Sequence, residues 1–290
     1  MNTAIAYLNG KFLPLVEVSI SPFDRGFLFA DGVYEVIPVY HGHPFRLAEH
    51  LQRLINSLAA IQLECELERG QWEALLTELV ARNGGGNLAV YLQVTRGAPQ
   101  IRDHNFPDAD TPPTIFVMAS LLKPLPEAPY RDGISAITCA DIRWSACHIK
   151  SIALLANVLA RQQAVVQGAD DAILVRDGYL TEAVASNVFL VCEGRLLTPR
   201  KDHRILPGIT RELILELAVA NGIPCEEKDL PATLLAEADE IWLSGSTKEI
   251  IPVTILDGRP VGAGAPGLLW RRMTALYQTY KQMACPPVGI

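Results

Sequence analysis

Lys123-Pro124-Leu125-Pro126-Glu127-Ala128-Pro129 divides this chain of 290 residues. Each proline fixes its own φ and donates no backbone hydrogen bond, so the run stiffens the chain and opposes a helix interior or a central strand. That reading makes 123–133 an interdomain linker, 1–122 an N-terminal domain and 134–290 a C-terminal domain. Upstream, Ile5-Ala6-Tyr7-Leu8, Asn9-Gly10 and Lys11-Phe12-Leu13 read as a hairpin, because Asn-Gly supplies the positive φ angles of a type I′ turn. A strand over 33–40 precedes a turn at His41-Gly42-His43. Leu47, Leu51, Leu54, Leu58 and Ile61 then recur at helical spacing. A second helix over 71–81 ends at Gly84-Gly85-Gly86, and strands follow at 88–95 and 114–119. Downstream come a strand over 134–140, a helix over 152–167 and a hairpin around Asp177-Gly178. A helix over 211–220 stops at Asn221-Gly222. Helices and strands mixed without regular βαβ alternation predict an α+β chain of two domains.

Hydrophobic residues make up 49% of the chain and charged residues 20%, which fits a globular enzyme. The net charge of −7 argues against nucleic acid or an anionic membrane as partner, since both select basic faces. The first ten residues lack the basic start and apolar run of a secretory signal, and every apolar stretch is interrupted before it could span a bilayer. The six cysteines form no CxxC pair and no framework spacing, which fits a reducing cytoplasm and gives no reason to expect a metal.

Of the seven lysines, Lys150 has an unusual setting. It follows Asp141-Ile142-Arg143-Trp144 and stands directly before Ser151-Ile152-Ala153-Leu154-Leu155, the start of the helix expected over 152–167. With Ile152, Leu155, Ala156 and Leu159 on one apolar face, that start is expected to pack into the core. Desolvation and the positive helix end both favour the free amine, a nucleophile toward carbonyls. The ordinary alternative is a lysine snorkelling at a surface. Glu182, just after the second hairpin and beside Ala183-Val184-Ala185, can meet a pyridinium nitrogen; taken alone it reads as a solvated glutamate. Gly208-Ile209-Thr210 opens a helix whose free N–H groups suit a phosphate, and Ser244-Gly245-Ser246-Thr247 is a second hydroxyl-rich cup. Both have an alternative as a plain cap or turn. Arg102 and His104 flank Asp103; in an extended segment both cations point the same way, as a clamp for a carboxylate. The alternative is a solvated loop.

Several stretches together resemble one family. Asp24-Arg25-Gly26-Phe27-Leu28-Phe29-Ala30-Asp31-Gly32-Val33-Tyr34-Glu35 is similar to the N-terminal signature of the fold-type-IV, or class IV, aminotransferases, which use pyridoxal 5′-phosphate. So are Val90-Tyr91-Leu92-Gln93-Val94-Thr95-Arg96-Gly97, Asp141-Ile142-Arg143-Trp144 through Lys150-Ser151, and Thr181-Glu182 with Ser186-Asn187-Val188-Phe189. Leu206-Pro207-Gly208-Ile209-Thr210-Arg211 and Ser246-Thr247-Lys248-Glu249-Ile250 complete the set, in family order from about residue 5 to about 260. The resemblance implies two domains, the smaller α/β one N-terminal and the larger with a barrel-like sheet, and the cofactor between them. It assigns Lys150 to the Schiff base and Glu182 to the pyridine nitrogen. It assigns Arg53, Ile209, Thr210 and Ser246 to the phosphate, with Ser186, Asn187, Gly208 and Thr247 in the same cofactor-binding set. Arg53 lies off the apolar stripe of its helix and reads, on its own, as solvated.

Within the family the likeness is to the D-amino-acid transaminase branch, where Tyr34 with the Arg-x-His pair at Arg102 and His104 matches the substrate-carboxylate trap. There the pair reaches in from the partner subunit, which implies a homodimer. The implied reaction exchanges an amino group between D-amino acids, such as D-alanine and D-glutamate, and 2-oxo acids. The rival readings are a branched-chain L-amino-acid aminotransferase, an aminodeoxychorismate lyase or amine transaminase of the same fold, and a carrier without turnover.

Overall fold

The computed structural model describes residues 4–124 and 127–287. Residues 125–126 of the proline run and residues 1–3, read above for a leader, lie outside the described residues. The described chain forms two compact units, one of residues 4–123, Ile149–Ala153 and 284–287, the other of 124, 127–148 and Leu154–Met283.

In the first unit β1 (Ile5–Leu8) and β2 (Lys11–Pro14) make the expected hairpin, with Asn9 and Gly10 at φ 45° and 90°. Then come α1 (Arg25–Phe29), β3 (Gly32–Tyr40), β4 (His43–Pro44), α2 (Leu47–Ala60), α3 (Arg69–Arg82), β5 (Leu88–Thr95) and β6 (Thr114–Leu121). The strands form an antiparallel sheet in the order β2-β1-β6-β5-β3-β4. Leu51, Leu54 and Leu58 of α2 and Trp72, Leu76 and Leu79 of α3 bury against Ile37, Val90, Leu92 and Val117 of the sheet. Each fully buried leucine contributes about 1.5–3 kcal/mol. Residues Ile149–Ala153 run along β3: Ser151 bridges to Val33, and the N–H groups of Tyr34 and Ile152 donate to Lys150 O at 2.9 Å and Gly32 O at 3.1 Å.

The second unit begins with α4 (Glu127–Asp132), β7 (Ile134–Ala140), α5 (Leu155–Val166), β8 (Asp171–Arg176), β9 (Tyr179–Ala183), β10 (Asn187–Cys192) and β11 (Arg195–Pro199). It continues with α6 (Ile209–Ala220), β12 (Cys225–Lys228), β13 (Glu240–Gly245), β14 (Glu249–Leu256), β15 (Arg259–Pro260) and α7 (Leu268–Ala284). Its sheet runs β12-β11-β10-β13-β14-β7-β8-β9, with β15 added on β14. The sheet curls: Leu180 of β9, at one end of that order, shares a core with Leu197 of β11, near the other, and with Val188, Leu243 and Val253. The mixed two-unit architecture with a curled, barrel-like sheet is the fold expected from the sequence. Among the described residues no helix is long and apolar enough to cross a membrane.

Three local expectations are corrected. Glu127–Asp132 is helical despite Pro129, which falls in the first turn, where the missing N–H has no helical acceptor to lose. The helix after Lys150 starts at Leu155 rather than at residue 152, because Ser151 and Ile152 are spent on pairing with β3. Its apolar face is not core: Leu155 and Leu159 are 72% and 52% exposed, and the buried side is Ala160 and Ala164 against Ile137 and Leu174. Lys150 is therefore held by strand-like pairing and not by a helix N-terminus.

Candidate active site

In the first unit, Tyr34, Arg53 and Lys150 are positioned by β3, α2 and the segment along β3. The two backbone bonds around Lys150 fix its Cα, and its N–H donates to Ser57 Oγ of α2 at 3.2 Å. Its Nζ lies 4.1 Å from the centre of the Tyr34 ring, a cation–π distance. Tyr34 stacks in turn on Tyr91, ring centres 5.7 Å apart. Tyr91 donates its hydroxyl hydrogen to Gln93 at 2.6 Å, and burial pushes its pKa up to about 12.

Arg53 is buried, which corrects its reading as a solvated residue. Its Nε and Nη2 lie 2.7 and 2.8 Å from the two oxygens of Glu35, and His50 Nδ1 lies 2.8 Å from Glu35 Oε2. Burial opposes the charge on Glu35, yet Arg53 and then His50 hold its carboxyl well below the usual range. Burial holds the His50 imidazole below its ordinary 6.5, partly offset by Glu35. The sequence assigned nothing to Glu35 or His50. The available signal was a carboxylate inside the apolar run Val33-Tyr34-Glu35-Val36-Ile37, which needs a buried partner.

Arg102 and His104 sit on an exposed, irregular loop, not an extended strand. They are nevertheless brought together on one ring: Phe29 has the Arg102 guanidinium 4.6 Å from its centre and the His104 ring at 5.1 Å. Arg25 anchors the loop by donating to the carbonyls of Asp103 at 2.6 Å and Asn105 at 3.0 Å.

In the second unit, Glu182 lies in β9, not after it, and is buried. Oε1 accepts from Arg143 Nη1; Oε2 accepts from Asn187 Nδ2 at 3.1 Å and from the Leu206 N–H at 3.0 Å. Asn187 Nδ2 also donates to Leu206 O at 2.9 Å, so one side chain ties the carboxylate to the loop before α6. That loop ends at Gly208, the N-cap of α6, with no side chain capping the helix start; Ile209 and Thr210 are buried. Free N–H groups at a buried helix start call for an anion. Ser186 Oγ and Ser244 Oγ are buried without a protein partner. Ser186 Oγ lies 3.5 Å from where a β-carbon on Gly245 would stand, at the head of the Ser246–Thr247 turn. Orphaned hydroxyls, an uncapped helix start and a buried carboxylate fit a phosphate-bearing heteroaromatic such as pyridoxal 5′-phosphate.

A cleft of about 900 Å³ opens elsewhere in this unit, lined by Thr138, Val175, Leu235, Asp257 and Arg259 among others. It contains none of the expected site residues. Among the described residues no cluster of three or more His, Cys, Asp or Glu side chains could hold a metal ion.

The amino-transferase class IV family model matches residues 32–256. This chain belongs to that family, whose members depend on pyridoxal 5′-phosphate, and it is an aminotransferase. It is 40% identical to the D-alanine aminotransferase of Bacillus licheniformis over 93% of this chain and 94% of the other. It is 42% identical to that of Listeria innocua over 90% of both. Among solved structures, the fold IV-transaminase of Curtobacterium pusillum superposes at a TM-score of 0.79, with 28% identity, over 92% of both chains.

Proposed function

We propose that this chain transfers amino groups between D-amino acids, such as D-alanine and D-glutamate, and 2-oxo acids by a ping-pong reaction. The observation that carries the D-specific reading is its 40–42% identity, over at least nine-tenths of its length, to two D-alanine aminotransferases. The packing of both Arg102 and His104 against Phe29 supports it, since a neighbouring guanidinium and imidazole suit a carboxylate.

Each residue has a part. Lys150 Nζ would hold the cofactor covalently and, when free, would take the proton from the substrate Cα as general base and return it as general acid. When bound, pyridoxal 5′-phosphate supplies an electron sink for the pair left on Cα. Glu182 would meet the ring nitrogen and favour its protonated form. Arg53, the Ile209 and Thr210 N–H groups, and Ser246 hold the phosphate, with Ser186, Asn187, Gly208 and Thr247 shaping the cup. Tyr34, Arg102 and His104 orient the substrate carboxylate, so Lys150 meets the proton on one face only. Arg102 and His104 stand exposed in this chain, and in the homodimer we propose they serve the partner's site. The six free cysteines suit a cytoplasmic location.

The test is an absorbance spectrum of purified enzyme with D-alanine and, separately, with L-leucine. The near-visible band of the lysine-bound cofactor should bleach with D-alanine and recover with a 2-oxo acid. Bleaching by L-leucine instead would move the enzyme to branched-chain L-amino acids.

A further inference from the structure

Glu182 is backed by an arginine that the cofactor assignments leave unused. Arg143 presents Nη1 to Glu182, while its Nε and Nη2 edge lies on the two oxygens of Asp141, each at 2.8 Å. All three side chains are buried, 8% exposed for Arg143, 0% for Asp141 and 7% for Glu182. Asp141 is itself shared: Arg176 Nη2 lies 3.1 Å from its Oδ2, and the Thr181 hydroxyl donates to the same oxygen at 2.8 Å. Because Arg176 takes part of the Asp141 charge, the Arg143 cation is not cancelled by Asp141 alone and acts on Glu182. Burial opposes the charge on Asp141, yet Arg143 brings its pKa to about 2; the Arg143 pKa, pushed down by burial, is carried well above its usual value by Asp141 and Glu182. With Asn187 Nδ2 and the Leu206 N–H on the other oxygen, Glu182 meets a guanidinium and two further donors. A carboxylate so surrounded is a poor proton acceptor.

We propose that Arg143 is a positioning residue that keeps Glu182 anionic, so that the proton between Glu182 and the cofactor's pyridine nitrogen stays on the nitrogen. This rests on the assignment of Glu182 to that nitrogen. Asp141 holds the guanidinium by a two-pronged contact that a lysine cannot reproduce. Without Arg143, the proton shifts toward Glu182 and the ring loses the charge that draws electrons from Cα.

The experiment is ¹⁵N NMR of the holoenzyme reconstituted with pyridoxal 5′-phosphate labelled at the ring nitrogen, in wild type, Glu182→Gln, Arg143→Met and Arg143→Gln. Wild type should give a pyridinium-like shift and Glu182→Gln a neutral-pyridine one. Arg143→Met should fall between them, with kcat reduced about tenfold, the equivalent of one unit of proton affinity, and KM within about twofold. Arg143→Gln, which removes the charge but keeps an amide beside Glu182, should move the same way by less. If Arg143→Met fails to fold or to take up cofactor, Arg143→Gln decides alone. A move in Glu182→Gln with the wild-type shift in the other folded variants overturns the role of Arg143 and leaves Glu182 in place. An unmoved shift in Glu182→Gln removes the Glu182 assignment, and Arg143 with it.

Discussion

The side-chain oxygen of Asn187 occupies the place where a β-carbon on Gly208 would be. The same Asn187 amide binds Glu182 at 3.1 Å and Leu206 O at 2.9 Å, so the start of α6 and the Glu182 carboxylate are positioned through one contact. Gly208 is at φ −71°, ordinary for any residue; glycine is needed there for space, not for backbone freedom.

Gly208→Ala should therefore act on both ends of that contact. Overpacking costs about 1–3 kcal/mol and displaces Asn187. Cofactor titration should show weaker binding, and urea unfolding of the cofactor-free protein a lower midpoint. Wild-type values in both would refute the contact.

Lys150→Ala should abolish the near-visible band and lower turnover by at least ~10²-fold. Its backbone pairing with Tyr34 uses no side-chain atom, so far-UV circular dichroism should not change. Full activity in this variant would exclude Lys150 from the chemistry.

Arg102→Ala should raise KM for D-alanine roughly ten- to hundredfold, the worth of a charge-assisted hydrogen bond of about 1.5–3 kcal/mol. Its side chain is exposed against Phe29, so cofactor affinity and stability should hold. An unchanged KM would take Arg102 out of the carboxylate trap.

Acid should destabilise the protein through Glu35 and His50. Both have folded pKa values below their ordinary 4.5 and 6.5, so at moderately low pH the unfolded chain binds protons that the folded chain does not. The stabilisation is present above about pH 6.5, falls first through His50, then through Glu35. Urea midpoints measured from pH 8 to pH 5 should decline, and less steeply in His50→Gln. A midpoint that rises toward acid contradicts this.

Elements whose signal is local are legible in the residues alone. The Asn9-Gly10 turn, the leucine stripe of α2 and the Asp177-Gly178 hairpin could be read because positive φ angles and helical periodicity are properties of neighbouring residues. Family motifs carried the cofactor and the reaction, and they named Lys150 and Glu182 without showing what holds either one. The folded chain alone shows that Arg53 is buried on Glu35, that Lys150 is fixed by pairing with β3, and that Arg143 stands behind Glu182. Those relations join residues 18, 116 and 39 positions apart, from Glu35 to Arg53, Tyr34 to Lys150 and Arg143 to Glu182. Periodicity reports which face of an element is apolar. It does not report which buried charge will meet which, because that depends on how the sheet curls and which strands it brings side by side.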